Sequence, residues 1–160
     1  MKGPMIGVVG TGKSSEAIDE LAAEVGREIA RNNGVLICGG LGGVMTAAAR
    51  GAKEAGGYTV GVLPGPGIYA ANPYIDFPIA SNMGQARNAI IVQTAEVLIA
   101  VGGGYGTLSE IALALKIGKG VVALRPHFSI PGLHTAESPR EAVAEALALV
   151  KALDLPTITV

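Results

Sequence analysis

The chain has 160 residues, 49% of them hydrophobic and only 16% charged, with a formal net charge of −1. That balance offers no field for a nucleic-acid backbone, and no apolar run approaches the roughly 20 residues needed to cross a bilayer, so neither a nucleic-acid nor a membrane partner is expected. The single cysteine, Cys38, excludes an intrachain disulfide; with no signal-peptide pattern at the start, a reducing cytoplasm is the expected location.

Ile6-Gly7-Val8-Val9 reads as the first strand and Gly10 to Ser15 as the loop after it. Ile18, Leu21, Ala22, Val25 and Ile29 then recur at helical spacing until Asn33-Gly34 stops the helix. Val35 to Cys38 is the second strand, followed by Gly39-Gly40-Leu41-Gly42-Gly43 and a small-residue helix from Val44 to Ala55. Tyr58 to Leu63 is the third strand. Pro64 to Asn82 reads as a long loop with a short strand around Ile75-Asp76-Phe77, and a loop of that length inside one domain points to function. Gln85 to Thr94 reads as a helix with Ile90 and Ile91 inward. Val97 to Val101 is a strand that ends in glycines at 102, 103, 104 and 106, with a helix opening at Thr107. Val121 to Leu124 is the next strand, and Arg125 to Glu137 a polar loop. Ser138-Pro139-Arg140-Glu141 is a capping box that opens a last helix, whose inward face is Val143, Ala146, Leu147, Val150 and Leu153.

Continuous apolar strands alternating with helices predict an α/β fold, a doubly wound, Rossmann-like parallel sheet with helices on both faces, and a single domain over residues 1–160. In such sheets ligands bind beyond the carboxyl ends of the strands. The three glycine loops, at Gly10–Ser15, Gly39–Gly43 and Gly102–Gly106, each follow a strand directly and therefore open onto one edge. At Gly103–Thr107 the glycines admit a ligand close to the backbone. The free N–H groups of the next helix's first turn favour an anion there, so a phosphate or similar oxyanion is expected.

Two nucleotide motifs are set aside. Gly7 to Ser14 satisfies the P-loop pattern, but Gly7 lies inside the only residues able to form the first strand. Neither Val97–Val101 nor Val121–Leu124 ends in an aspartate for magnesium. A dinucleotide site would need glycine at Ser15 and an acid after the second strand, where Cys38-Gly39-Gly40 stands instead.

Glu110 admits two readings. Thr107-Leu108-Ser109-Glu110 is itself a capping box, in which the carboxylate would bond back to the Thr107 N–H. Alternatively, Glu110 sits one turn behind a phosphate-sized hole and could hold sugar hydroxyls or stabilise positive charge on a sugar ring. Arg87 shares a helix face with Ile90 and Ile91, so it is partly desolvated and needs an anionic partner, Glu110 or a ligand phosphate. His127 and His134 lie at no metal-ligand spacing, and neither a metal nor a cofactor is called for. Cys38 reads as a packed thiol, and Tyr69, Asn72 and Tyr74 as residues able to cover a ligand from the long loop or simply to pack.

Gly103-Gly104-Tyr105-Gly106-Thr107-Leu108-Ser109-Glu110 resembles the GGxGTxxE signature of the Lonely Guy (LOG) phosphoribohydrolases, and Gly39 to Met45 resembles their second glycine loop. The resemblance runs from about Ile6 to Leu124. It implies a Rossmann-like fold, homodimers, and hydrolysis of a nucleoside 5′-monophosphate to free base and ribose 5-phosphate. Arg87 falls where that family carries a catalytic arginine, and Glu110 is the acid of its signature. The implied ligand contacts are Gly10, Thr11, Gly12 and Lys13; Gly39, Gly40, Gly43 and Met45; and Gly103, Gly104, Tyr105, Gly106 and Thr107. Gly102 stands where LOG proteins have proline, Cys38 where they have glycine, and Asn88 where lysine follows the arginine. In these respects, and in its brevity after Leu124, the chain is similar to the molybdenum-cofactor carrier proteins, which share the fold and bind a phosphate-bearing pterin without turning it over. A phosphoribohydrolase and a non-catalytic carrier or sensor of a phosphorylated heterocycle both follow from these residues. A homo-oligomer, most simply a dimer in contact through the Arg87 helix, is expected with either.

Overall fold

The computed structural model describes residues 3–153. In chain order the elements are β1 (Met5–Gly10), α1 (Glu16–Arg31), β2 (Val35–Cys38), α2 (Val44–Glu54), β3 (Tyr58–Leu63), β4 (Phe77–Ala80), α3 (Arg87–Thr94), β5 (Val97–Val101), α4 (Tyr105–Lys116), β6 (Gly120–Leu124), β7 (His134–Thr135) and α5 (Pro139–Ala152). The seven strands form one sheet in the order β4-β3-β2-β1-β5-β6-β7, every pair parallel. This is the expected α/β, Rossmann-like arrangement.

The period of two along each strand divides the core. Ile6 and Val8, Leu36 and Cys38, and Val97, Ile99 and Val101 face α1, α2 and α5. Val9, Ile37, Leu98 and Ala100 face α3 and α4 with Ile91, Val92 and Ile111. Sheets covered on both sides must be apolar on both, which is why these strands read as unbroken apolar runs. Glycine sets the closest approach on the first face. A Cβ at Gly26 of α1 or Gly51 of α2 would overlap the backbone carbonyl of Ala48 or Ala23 on the facing helix, so these two helices pack backbone to backbone.

Several expectations are corrected. The strand in the long loop lies at Phe77–Ala80, two residues beyond the expected Ile75–Phe77, because Val60 to Leu63 pair with that segment. The Arg125–Glu137 loop contains β7, two exposed residues on the sheet edge. Leu153 is 51% exposed, past the end of α5, and is not part of its inward face. Ile91 is core and Ile90 only half-buried, so the Arg87 helix offers less apolar surface than expected. As expected, in contrast, Gly7 lies within β1, which leaves too little chain before α1 for a phosphate-wrapping P-loop.

The strand order reverses between β1 and β5: β1 connects through α1 toward β2, and β5 through α4 toward β6. The chain therefore diverges to opposite faces at the carboxyl ends of these neighbours, and a crevice opens there. Gly10 allows the pair to run together to its end, since a Cβ on it would fall 2.6 Å from the Val101 carbonyl.

Candidate functional site

The crevice is a cavity of about 380 Å³ whose wall is drawn from four segments. Gly10 ends β1, and Thr11, Gly12 and Lys13 follow it; Met45 is in the first turn of α2; Gln85, Arg87 and Asn88 flank the start of α3; Gly104, Gly106, Thr107 and Glu110 belong to the start of α4. Ten of the expected contact and catalytic residues thus meet in one place. The size is that of a pocket for a small molecule.

The turn into α4 leaves the start of that helix uncapped. Gly102 and Gly103 take φ of +58° and +104°, a region that L side chains avoid, and reverse the chain at the end of β5. The Gly102 N–H donates to Leu124 O at 2.8 Å, which ties the turn to β6. Gly104 then caps α4 with no side chain, so the N–H groups of Tyr105, Gly106 and Thr107 have no capping oxygen. Thr107 is the third residue of α4 and not its cap, because the helix begins two residues earlier than the sequence pattern suggested. Among the described residues no hydrogen bond reaches the Glu110 carboxyl, and the capping-box reading of Glu110 is therefore wrong.

Glu110 is 9% exposed and Arg87 is 8% exposed, and both line the cavity. Burial pushes the Glu110 carboxyl up to about 7, with the Arg87 charge pulling the other way. Burial likewise lowers the pKa of Arg87, opposed by Glu110 and then Cys38. Arg87 Nε donates to Val62 O at 2.9 Å and Nη2 to Gly39 O at 3.5 Å, while Nη1 donates to Asn88 Oδ1. Five guanidinium N–H groups exist, so some remain for a ligand.

The remaining expected contacts lie behind the wall. A Cβ at Gly39 would fall 2.6 Å from both Arg87 Nη2 and Met45 Sδ, so Gly39 makes room for the guanidinium. Gly40, at φ +75°, packs on Leu63, and Gly43, at φ +62°, lets α2 start against Thr11, whose carbonyl accepts from Val44 N at 3.0 Å. Gly103 packs on the Thr107 side chain. Tyr105 is 92% exposed and does not line the cavity. Tyr69, Asn72 and Tyr74 do not line it either: Tyr69 is 97% exposed, and Asn72 donates through Nδ2 to Leu41 O at 2.9 Å, pinning the long loop to the second glycine loop. Cys38 is buried, its thiol pushed up to about 11 by burial, and its sulfur accepts from Gly40 N at 3.4 Å. Sequence reasoning missed Gln85 and Asn88 as lining residues. Their one signal was nearness in sequence to Arg87: Asn88 follows it in the first turn of α3, and Gln85 lies in the short 3-10 turn just before it.

Among the described residues no group of three or more His, Cys, Asp or Glu is placed to hold a metal ion, and no helix is long and apolar enough to cross a membrane. A protein of Archaeoglobus fulgidus, described only as uncharacterized, is 51% identical over 143 residues, 89% of this chain and 94% of that one. The structure of the molybdenum cofactor binding protein from the phototrophic bacterium Rippkaea orientalis superposes with a TM-score of 0.88 at 36% identity, over 94% of this chain and 99% of that one. A cytokinin riboside 5′-monophosphate phosphoribohydrolase of Mycobacterium tuberculosis is 40% identical over 96 residues, 58% of this chain; the match spans about half, 51%, of that enzyme. These likenesses give a LOG-like Rossmann protein with the features of molybdenum-cofactor carriers. The model of the SLOG cluster4 family matches residues 3–152, and the chain belongs to that family.

Proposed function

We propose that this protein binds a phosphorylated heterocycle of the pterin or nucleotide class, with the molybdenum cofactor as the leading cargo, and holds it without chemical change. The observation that carries this reading is the uncapped N-terminus of α4, which opens beside Lys13 onto the cavity at the β1–β5 crevice. The first-turn amides of α4 and the Lys13 ammonium would take the phosphate; Met45, Gln85, Arg87, Asn88 and Glu110 would surround the ring system. The likeness to a molybdenum cofactor binding protein along nearly the whole of both chains favours the carrier over the hydrolase, whose likeness covers half of the enzyme.

One observation favours the second reading, a nucleoside 5′-monophosphate phosphoribohydrolase: a buried carboxyl and a buried guanidinium share the cavity. An ionised Glu110 could stabilise an oxocarbenium-like sugar, and Arg87 could orient it or the leaving base. Burial, however, raises the Glu110 pKa and so opposes the ionised form that this role needs. Incubation with AMP and N6-substituted AMP separates the readings. The carrier releases no free base over hours at micromolar protein; base release that is lost in Glu110→Gln would replace the carrier with the enzyme. The same reading expects a cytoplasmic homodimer, for which exposed Ile68, Phe77, Ile79 and Met83 near the β4 edge supply apolar surface. A monomeric mass by light scattering at micromolar concentration would contradict it.

A further inference from the structure

We infer that the cavity loads its ligand together with a proton: an anion that settles on the first-turn amides of α4 drives the Glu110 carboxyl to its neutral form. This rests on the reading of the cavity as a phosphate site and adds what governs its loading.

Glu110 is more than nine-tenths buried and lines the cavity. Among the described residues it accepts no hydrogen bond and forms no ion pair. It stands three and four residues after Thr107 and Gly106, on the same helix face, and helical side chains lean toward the N-terminus. The carboxyl therefore shares its cavity with the uncapped amides one turn earlier. Two anions in one desolvated space repel, and the one with fewer donors takes a proton. A phosphate on those amides has their N–H groups and the Lys13 ammonium to hold its charge. The carboxyl has no donor, so the proton goes to Glu110. The repulsion requires only that the two groups share the cavity, whichever part of the ligand lies against the carboxyl.

The charges count the same way. Among the described residues that line the cavity, only Lys13, Arg87 and Glu110 are ionisable; they reach it from the loop after β1, from α3 and from α4. Behind the wall, at the end of β2, the Cys38 thiol stays neutral, pushed up to about 11 by burial. Two cations balance a phosphate dianion only if Glu110 is uncharged, and an ionised Glu110 leaves a negative charge in excess. Burial already brings the Glu110 carboxyl to about 7, opposed by the Arg87 charge, so the proton is gained close to neutral pH. Below that point the carboxyl is neutral before the ligand arrives, and affinity is indifferent to it. Above it each ligand must bring a proton, and affinity falls by up to about tenfold per pH unit.

Calorimetric titration of AMP at pH 8, in two buffers of different ionisation enthalpy, counts the protons taken up. The AMP phosphate contributes none, because its second ionisation, at about 6, is complete there. The parent should take up about one proton per AMP bound, and Glu110→Gln none. Between pH 7.5 and pH 8.5 the affinity of the parent should fall by about fivefold to tenfold, while that of Glu110→Gln stays level and exceeds the parent's at pH 8.5. AMP binding by the parent without proton uptake overturns the inference and leaves the phosphate site standing. So does uptake that persists in Glu110→Gln, or weaker binding by that variant than by the parent at pH 8.5. The two-buffer measurement on the parent needs no variant, and thermal melting at each pH confirms that Glu110→Gln is folded. If neither AMP nor ribose 5-phosphate binds the parent at pH 6 or pH 8, the phosphate-site reading falls and takes this inference with it.

Discussion

Arg87 of α3 and Glu110 of α4 face one cavity from two different helices, both more than nine-tenths buried, and no ion pair joins them. Opposite charges that share a desolvated cavity usually pair. Here Arg87 is held back by the carbonyls of Val62 and Gly39 and by Asn88, and Gly39 gives it the room to lie there. The separation leaves the carboxyl desolvated and the guanidinium partly unsatisfied, a state that a ligand would relieve.

The first prediction concerns pH. The pKa of Glu110 is raised in the folded chain to about 7 from its ordinary 4.5, so the native state holds a proton that the unfolded state releases between those values. The stabilisation from this group is therefore complete below pH 4.5 and is lost as the pH rises through 7, by roughly 3 kcal/mol as an upper bound. Glu110→Gln cannot ionise. Urea unfolding at pH 5 and pH 8 should show the variant near the parent at pH 5 and more stable than it at pH 8. A variant less stable than the parent at pH 8 would show that the carboxylate has a partner after all.

Arg87→Ala removes the partner of two backbone carbonyls and the charge that opposes the burial of Glu110. The unpaired Val62 and Gly39 oxygens should reduce stability by about 1–3 kcal/mol. The Glu110 carboxyl should titrate still higher, because the charge that opposes its burial is gone. Chemical-shift titration of the Glu110 carboxyl carbon checks this; an unmoved or lower titration point would contradict it.

Gly103 and Gly104 should respond in opposite ways although they are adjacent. Gly103→Ala combines φ +104° with a Cβ that overlaps the Thr107 side chain, and should destabilise the fold. Gly104 has a negative φ of −120°, and a side chain there meets open space. Gly104→Val should therefore fold with a melting temperature near that of the parent while obstructing the anion site. Equal affinity of the folded Gly104→Val variant and the parent for a nucleoside monophosphate would show that the phosphate lies elsewhere.

Much of this was legible because each signal was local. Strands such as Val97–Val101 are apolar on both faces, so they stood out as runs, and the glycines that follow them marked the edge where the cavity opens. The cavity needed four segments to converge, and only the sheet order brings Gln85 and Asn88 to the same wall as Lys13 and Glu110. Thr107 misled because its spacing to Glu110 satisfies a capping box; the turn at Gly102–Gly103 starts the helix two residues earlier, which moves Glu110 into its interior. Gly39 and Gly40 looked like ligand contacts, yet each makes space for a protein side chain, Arg87 or Leu63, a distinction that depends on long-range packing. The two-residue β7 carries no periodicity to detect.

The backbone-close packing of α1 on α2 gives a prediction away from the cavity. Gly26→Ala and Gly51→Ala would each gain helix propensity of about 1 kcal/mol, but the added methyl overlaps a carbonyl on the facing helix. Overpacking of that kind should win, leaving each variant less stable by about 1–3 kcal/mol in urea unfolding. A stabilised Gly26→Ala would mean that the helices separate easily.

The phosphate position is most directly tested by titrating GMP into isotope-labelled protein and following the backbone amide resonances. The largest shifts should fall on the amides of Tyr105, Gly106 and Thr107 and on the Gly10–Lys13 loop, and the nucleotide should be recovered intact at the end of the titration. Shifts confined to other surfaces, or free guanine in the recovered sample, would contradict a carrier that holds its ligand by the phosphate at the start of α4.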